Sequence, residues 1–588
     1  MLIPRLFALL KRPFVFTLLA SFCLTLVWSC ASVGGGGIPS VESEAEAETV
    51  LLETVMPRLD WEEDFVADAV ASRYSTDTIS EPLPAIEDFP LYAAQPPNDG
   101  QTVYLEIFSS SEKANVDKQN ERWLVEVADA FNQQGVTTSG GQPIQVGIRQ
   151  IPSGTAARLL AAGTVQPAGY SPSNDLWVQM INSEGVNTTA VQSRLVPNTA
   201  GLVLQGEAYN ALGGGEVTFA QVLDAMISGQ LTAGYPNPYT SSTALNLLYS
   251  LFWRSAGLSG DAALTVANLE SPEVNSVFSA FQEQVLITTT TTLDLQEIFI
   301  RDPDKLQAFP LEYQNYQSLI QLPGFENVQF VPFGIPHNNP LVGFDWNSAA
   351  QAEALAQFGE FAMASEMQAL AAQQGFEPTP YLESGQAPPI PSGEVLTAAQ
   401  SYWKARKDGG RTVYLMTVVD TSGSMEGEPL NAVQEGLQVA SSVINAGNQV
   451  GLITFGDRAV YRLPLAAFDQ LQHQRLLAAV DNLRADGSTA MYDAMLMGMG
   501  ELMKQRQSDP EGRFYLLLLT DGEANRGYNF NDVEELISYS GIRVYPIAYG
   551  DVNEGELAAI AALRESTVKT GTTDNVQDLL KDLFQTNL

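Results

Sequence analysis

Thr412-Val-Tyr-Leu-Met-Thr-Val-Val-Asp420-Thr421-Ser422-Gly423-Ser424-Met425 is the stretch that decides the fold of the C-terminal part of the chain. Thr412 to Val419 is an apolar, β-branched run and reads as a buried strand. A helical pattern opens at Pro429-Leu430, and Pro suits the first turn of a helix, where its missing N–H is not needed. The loop between them sets one carboxylate and two hydroxyls two residues apart at the C-terminal end of a strand. Open α/β sheets form their ligand sites at this edge. Hard oxygen donors suit Mg²⁺ or Ca²⁺, and a loop with so few charges leaves the ion electrophilic and open to a further ligand.

Two later segments complete the pattern. Asp486-Gly487-Ser488-Thr489-Ala490-Met491-Tyr492 precedes a helix, and Phe514 to Leu519 is a second buried strand, ending in Thr520-Asp521-Gly522. Each alone has a plain alternative, with Ser422 and Ser424 as helix caps and Asp521 as a turn residue. The three together favour metal binding. Asp-x-Ser-x-Ser, then Thr, then Asp-Gly, in this order and context, resembles the metal-ion-dependent adhesion site of the von Willebrand factor A domain family, over residues 411–588. The resemblance implies a Rossmann-like α/β fold with a mainly parallel sheet. It also implies one divalent cation faced by Ser422, Ser424 and Thr489, with Asp420 and Asp521 near it, and a partner protein's carboxylate on the open position. Mg²⁺ is the expected ion, with Mn²⁺ and Ca²⁺ as alternatives. An aspartic-protease reading fails because the triplet after Val419 is Asp420-Thr421-Ser422. The loop from Asp521 to Gly527 is no EF-hand, because Arg526 stands where that loop needs Gly.

Composition narrows the classes. A chain of 588 residues holds more than one domain. A net charge of −38 repels nucleic acid and anionic headgroups and draws cations. The two cysteines, Cys23 and Cys30, lie within the first thirty residues, which leaves no disulfide and no thiol nucleophile in the body of the chain. His337 and His473 are the only histidines, too few and too far apart for a zinc motif, and neither sits in a recognisable catalytic context. No Gly-Lys pair occurs, so there is no Walker loop. Non-catalytic binding is the expectation.

From the start, Arg5, Lys11 and Arg12 precede an apolar run from Phe14 to Trp28 that exits at Ser29-Cys30, the pattern of an export signal. Val27-Trp28-Ser29-Cys30 resembles a lipobox, which implies that residues 1–30 are a lipoprotein signal with Cys30 as the lipidated first mature residue. An ordinary signal peptide or an uncleaved anchor are the alternatives. Gly34 to Gly37, the acidic run Glu42 to Glu48 and a Pro-rich stretch make 31–98 an expected tether and spacer. From Thr102 strands and helices alternate: Tyr104 to Phe108, a helix through Trp123 and Phe131, Ile144 to Ile148, and Leu202 to Leu204 opening a second half. An Ala-rich pattern from Ala349 to Phe376 predicts one long helix. Trp123–Phe131, Ser153-Gly154-Thr155, Ser171–Trp177, Tyr239–Asn246 and Ser365–Phe376 together resemble a type II bacterial solute-binding protein, which implies two α/β lobes and a cleft over 99–395. Ser110, Ser153, Thr155, Ser241 and Ser242 begin helices after strands in both halves. They are candidates to hold a small polar or anionic solute, since free N–H groups at helix starts favour anions; a plain N-cap is the alternative for each. Residues 396–410 are an expected linker.

These readings combine into an α/β chain in which a two-lobed solute-binding-like domain precedes a Rossmann-like von Willebrand factor A domain. The expected activity is that of an exported, membrane-anchored binding protein of the cell envelope, periplasmic or surface-exposed. Its divalent metal would engage a protein or surface ligand presenting Asp or Glu carboxylate. The alternative is the receptor component of a transport system, with the A domain as a docking accessory.

Overall fold

The computed structural model describes residues 37–76, 83–376, 387–549, 554–564, 566–573 and 575–588. The expected export signal and Cys30 lie outside these residues. Among the described residues no helix is long and apolar enough to cross a membrane.

The described strands form three sheets. The first strand, β1 (Trp61–Glu63), joins a sheet of C-terminal strands. The next strands build two lobes. In the first, β3 (Val103–Ser109) runs parallel to β4 (Ile144–Gln150) and β5 (Gly169–Ser171), with β2 (Leu91–Tyr92) antiparallel on the outer edge of β4. After β6 (Thr188–Gln192) the chain crosses to the second lobe. There β8 (Ala233–Pro236) is parallel to β9 (Val285–Thr289) and β10 (Ala308–Glu312), while β7 (Ala200–Leu204) is antiparallel to β10 and β11 (Gln329–Pro332). The chain then returns, and β12 (Leu341–Phe344) pairs antiparallel with β5 and β6. Two crossings between two sheets give the expected two-lobed module. The C-terminal ends of its parallel strands carry the loops around Ser110, Ser153, Ser173, Ser241 and Thr291.

The third sheet has the order β1-β15-β14-β13-β16-β17-β18. β13 (Val413–Asp420), β14 (Gln449–Phe455), β16 (Arg513–Thr520), β17 (Arg543–Tyr549) and β18 (Lys569–Gly571) are parallel. Only β15 (Ala459–Ala467), which forms a hairpin with β14, runs the other way among the C-terminal strands. The strands are apolar on both faces because helices cover both. Met416 and Val418 pack with the buried helix Met491–Ser508, and Leu415 and Val419 face the helices Glu428–Ser441 and Val576–Asn587. Met491, Met495, Met497, Met499 and Met503 are all core residues.

Two stretches expected to be connectors are packed elements instead. Residues 31–98 are not a tether over their described part. A helical stretch from Glu44 through Val55 lays Ala47, Leu51 and Val55, four residues apart, into the core of the third sheet beside Met499 and Met503. Met56 enters so closely that a Cβ on Gly500 would meet its Sδ at 2.0 Å. The acids that suggested self-repulsion are taken up by cations of the C-terminal part: Glu48 Oε2 lies 3.0 Å from Arg506 Nη2, and Glu62 Oε2 3.2 Å from Arg458 Nη1. β1 then adds to the sheet edge parallel to β15, Trp61 opposite Ala459. Leu83, Ile86 and Phe89 pack against the first lobe. The second correction concerns 396–410. The helix Gly393–Arg406 buries Leu396, Ala399 and Trp403 in the core of the lobes, and Trp403 Nε1 donates to the Tyr235 hydroxyl at 2.6 Å.

Candidate functional site

β13 ends at Asp420 in the middle of the third sheet, between β14 and β16. Asp420 is fully buried. Its Oδ1 accepts the Ser422 N–H at 2.8 Å, and its Oδ2 accepts the hydroxyl of Thr520, the last residue of β16, at 2.7 Å. From there hydroxyls continue outward: Ser422 Oγ lies 3.0 Å from Ser424 Oγ, and Ser424 Oγ donates to Asp521 Oδ1 at 2.8 Å. The Asp486–Thr489 loop is laid against this one by its backbone. Gly423 N donates to Gly487 O at 3.1 Å and Asp486 N to Thr421 O at 2.8 Å. Gly487 has φ of 82°, in the left-handed region, and a Cβ there would come within 2.9 Å of the Asp457 carboxyl carbon, so glycine is required. Asp420, Ser422, Ser424 and Asp521 thus form one hydrogen-bonded chain, and Thr489 stands on the adjoining loop.

Three participants were not singled out by the motif pattern. Thr520 ties Asp420 to β16. Asn525 accepts the Thr489 N–H through Oδ1 at 2.9 Å. Asp457, one strand over, accepts the Ser488 N–H at 3.0 Å. Their signal was positional: Asp457 follows Gly456 at the end of β14, the same sheet edge that carries Asp420.

Burial pushes the Asp420 carboxyl above its ordinary range, and the hydrogen bonds from Ser422 and Thr520 only partly oppose this. Burial raises Asp521 as well, against the bond from Ser424. Hydroxyls and backbone N–H groups are their hydrogen-bond partners, and no basic side chain contributes to either shift. One buried and one half-buried carboxylate without a basic partner, beside the hydroxyls of Ser422, Ser424, Thr489 and Thr520, are a donor set that fits a hard divalent cation. Among the described residues no three of His, Cys, Asp and Glu cluster, so a cation here would rest on two carboxylates and on hydroxyls.

The second candidate site lies between the lobes. Ser110, Ser153, Thr155, Ser241 and Ser242 all line one cleft of about 340 Å³. Of the five, Ser241 is a side-chain N-cap, accepting the Ala244 N–H at 3.3 Å. Ser242 Oγ accepts from Trp177 Nε1 at 2.8 Å, and Ser153 Oγ from Ser173 N at 3.3 Å. The walls also carry Glu112, Glu121, Glu312 and Asp582, the last from the C-terminal helix. No Lys, Arg or His lines the cleft; the neighbouring Lys113 is fully buried, donates to Ser171 O at 2.8 Å and lies 3.6 Å from Glu112 Oε1, and burial holds its ammonium below the ordinary range. This charge balance weighs against the anionic solute suggested by the helix starts and favours a neutral polar one.

Both histidines have structural partners. His337 is fully buried, and its Nε2 faces the amides of Asn174 and Asn246 at 3.1 and 3.2 Å. Accepting from both amides makes Nδ1 the protonated nitrogen, which donates to Glu312 Oε1 at 2.9 Å. His473 Nε2 lies 2.8 Å from Ser441 Oγ, on the helix Gln470–Asp481, and takes no part in the cluster around Asp420.

Residues 415–585 match the family model of the von Willebrand factor type A domain. The C-terminal part of the chain is therefore a von Willebrand factor A domain. An uncharacterized protein of Synechocystis sp., sll0103, is 28% identical over 158 residues, which cover 26% of this chain and 36% of that one. Inter-alpha-trypsin inhibitor heavy chain H4 of Homo sapiens is 33% identical over 132 residues, 21% of this chain and 14% of that one. The chain thus spans little more than a third of the first relative and a smaller part of the second. Among solved structures, iron-bound HitA from Pseudomonas aeruginosa aligns with 52% of this chain and 99% of its own at 15% identity and a TM-score of 0.36. The two-lobed architecture rests on the sheets of this chain, not on that score.

Proposed function

We propose that the chain is a non-catalytic binding protein of the cell envelope, lipid-anchored at Cys30, that captures a carboxylate-bearing protein or surface ligand through a divalent cation at the β13–β16 edge. The observation that carries this reading is the chain of Asp420, Ser422, Ser424 and Asp521 at the sheet edge, two carboxylates raised by burial with only hydrogen bonds beside them. Ser422, Ser424 and Thr489 would face the cation, with Asp420 and Asp521 supplying its negative charge. Two carboxylates leave the ion net positive, and an incoming Asp or Glu completes the neutralisation. The ion is Mg²⁺ first, with Mn²⁺ or Ca²⁺ as alternatives. Calorimetric titration of the full chain with Mg²⁺ and Mn²⁺ tests the site. Wild type should bind and Asp420→Ala should not, and equal heats for the two would exclude the assignment.

A second reading, the receptor component of a transport system, is favoured by the hydroxyl-lined cleft alone. It predicts that a neutral polar solute raises the melting temperature in proportion to the logarithm of its concentration above Kd. A panel of sugars and neutral amino acids without such a shift would leave the cleft a scaffold feature.

A further inference from the structure

The second lobe carries a larger cavity than the cleft, at the opposite end of its sheet. Glu312, the last residue of β10, lines the cleft, whereas Ala308, its first, pairs with Leu204, the last residue of β7. Gln329, which opens β11, pairs with Leu204 as well. Around that end, the turn after β7, the segment before β10 and the loop before β11 border a cavity of about 710 Å³, against about 340 Å³ for the cleft. Small-molecule sites run to roughly 300–1,000 Å³.

The floor of this cavity is apolar and its rim polar. Phe299 and Val328 are core residues. The half-buried rings of Tyr209 and Phe325 stand beside them, Phe325 with its centroid 5.8 Å from that of Phe299. Gln205, Asn210 and Asn327 bring amides to the lining, and Glu207 and Asp304 bring carboxylates. None of these five side chains has a hydrogen-bond or ion-pair partner among the described residues. No Lys, Arg or His lines the cavity. The backbone that carries the free groups is fixed. Tyr209 Oη accepts the Val217 N–H at 3.3 Å and donates to Gly215 O. Tyr316 Oη donates to Val328 O, and Gln329 Nε2 to Asn327 O, both at 3.0 Å. A Cβ on Gly206 would come within 2.8 Å of Asn327 O, so glycine lets the two walls approach. A frame set before any ligand arrives lowers the ordering cost of binding.

We propose that this cavity binds a neutral saccharide. An anion would face two carboxylates and no cation, and an apolar ligand would strip water from five unpaired polar groups. A pyranose suits both halves of the cavity. Its hydroxyls donate and accept, as amides do, and two neighbouring hydroxyls can donate together to one carboxylate. Its C–H faces are apolar and match the faces of Tyr209 and Phe325, which carry the negative side of the ring quadrupole. A free oligosaccharide and the glycan chains of a surface present the same chemistry. The site is separate from the cleft and from the metal edge, and its outcome decides nothing about either.

The test is calorimetric titration of the full chain with cellotriose, maltotriose and triacetylchitotriose, beside co-sedimentation of the chain with insoluble cellulose and chitin. A free sugar as the source predicts that at least one trisaccharide binds with Kd of about 1 mM or lower. Retention on a polysaccharide without trisaccharide binding marks a glycan surface. Asp304 and Asn327 are exposed, so Asp304→Ala combined with Asn327→Ala leaves the fold intact. That variant should weaken either signal at least about tenfold, the loss expected when two hydrogen-bonding groups go. Phe325→Leu keeps every rim group and should weaken binding too, which a purely polar contact would not do. Binding unchanged in the rim variant places the sugar elsewhere, and that result overturns the proposal, as does the absence of binding in both arms.

Discussion

At Asp420 a single carboxylate both closes a strand end and completes a donor set, and the two roles separate by substitution. Asp420→Ala should abolish Mg²⁺- and Mn²⁺-dependent stabilisation. Without metal it should cost only about 1–2 kcal/mol, since the Thr520 hydroxyl, released from Asp420, turns its proton to the Gly522 carbonyl 3.1 Å away. Melting curves with and without chelator check both halves, and collapse of the metal-free variant would make Asp420 a folding residue instead. Asp578, on the C-terminal helix, gives a pH test. Burial, and then the like charge of Asp582, push it up to about 6. A carboxyl raised in the folded state favours folding below its unfolded pKa near 4, and that contribution is lost as pH rises through about 6. Asp578→Asn should therefore stabilise the protein at pH 7–8 by on the order of 1–2 kcal/mol, discounted for partial exposure, with the gain fading below about pH 4. A gain that persists at pH 3.5 would place its cause elsewhere. The hydrogen-bonded cluster at the sheet edge was legible in part because Asp420 and Asp521 end or follow apolar strands, while Asp486–Thr489 lies between two helices and stood out only by its order in the motif. Thr520 and Asn525 were not, because a lone hydroxyl or amide gains meaning only from the neighbour it bonds.

Among elements, the segment Val41–Asp64 changes what counts as the A domain. Leu51 and Ala47 are completely buried, and Val55 nearly so. Leu51→Ala should destabilise the third sheet by about 2–4 kcal/mol, the range for a large-to-small core change, read as a lower melting temperature. A chain beginning at residue 411 would expose this apolar seat and the β15 edge that β1 covers, and free edges template aggregation. Such a fragment should sediment as aggregates while the full chain does not, and a monomeric, fully folded fragment would contradict this. The fours spacing of Ala47, Leu51 and Val55 was visible in the sequence. It lost to the acids between them because the cation that accepts Glu44 and Glu48, Arg506, lies more than four hundred residues away. β1 itself, Trp61-Glu62-Glu63, carries no apolar alternation at all. The helix predicted over 349–376 is two, Ala349–Ala362 and Ser365–Gln373. Gln368 reaches back to the Ala362 carbonyl at 2.9 Å and satisfies the first helix's end, a bond that periodicity does not encode.

Across the whole molecule, the A domain is fastened mainly to the second lobe. Asn237 Nδ2 donates to Thr586 Oγ1 at 3.1 Å, Arg301 Nη2 to Ser566 O at 2.8 Å, and Lys569 pairs with Asp294. Any opening of the cleft would thus carry the A domain with that lobe and move Asp582 along the cleft wall. The two-lobed layout was legible from strand and helix rhythm, whereas this docking was not, since its donors and carbonyls have no sequence signature. Net charge acts at the same scale. With −38 on one chain, self-repulsion between exposed acids opposes compaction. Raising sodium chloride from about 0.02 to 0.2 M shortens the screening length roughly threefold and should raise the melting temperature. A fall would show that the Arg506 and Arg458 pairs outweigh the repulsion.

The pairing of Glu63 with Tyr461 also sets an order of events at the ribosome. At about 5–20 residues per second, the roughly 400 residues between them take on the order of 20–80 s to synthesise. For that interval the apolar stripe of Ala47, Leu51 and Val55 exists without its seat, while both lobes can already complete their sheets. A segment made early is thus among the last to find its place, and until Met499 and Met503 arrive its apolar stripe stands open to solvent or to a chaperone.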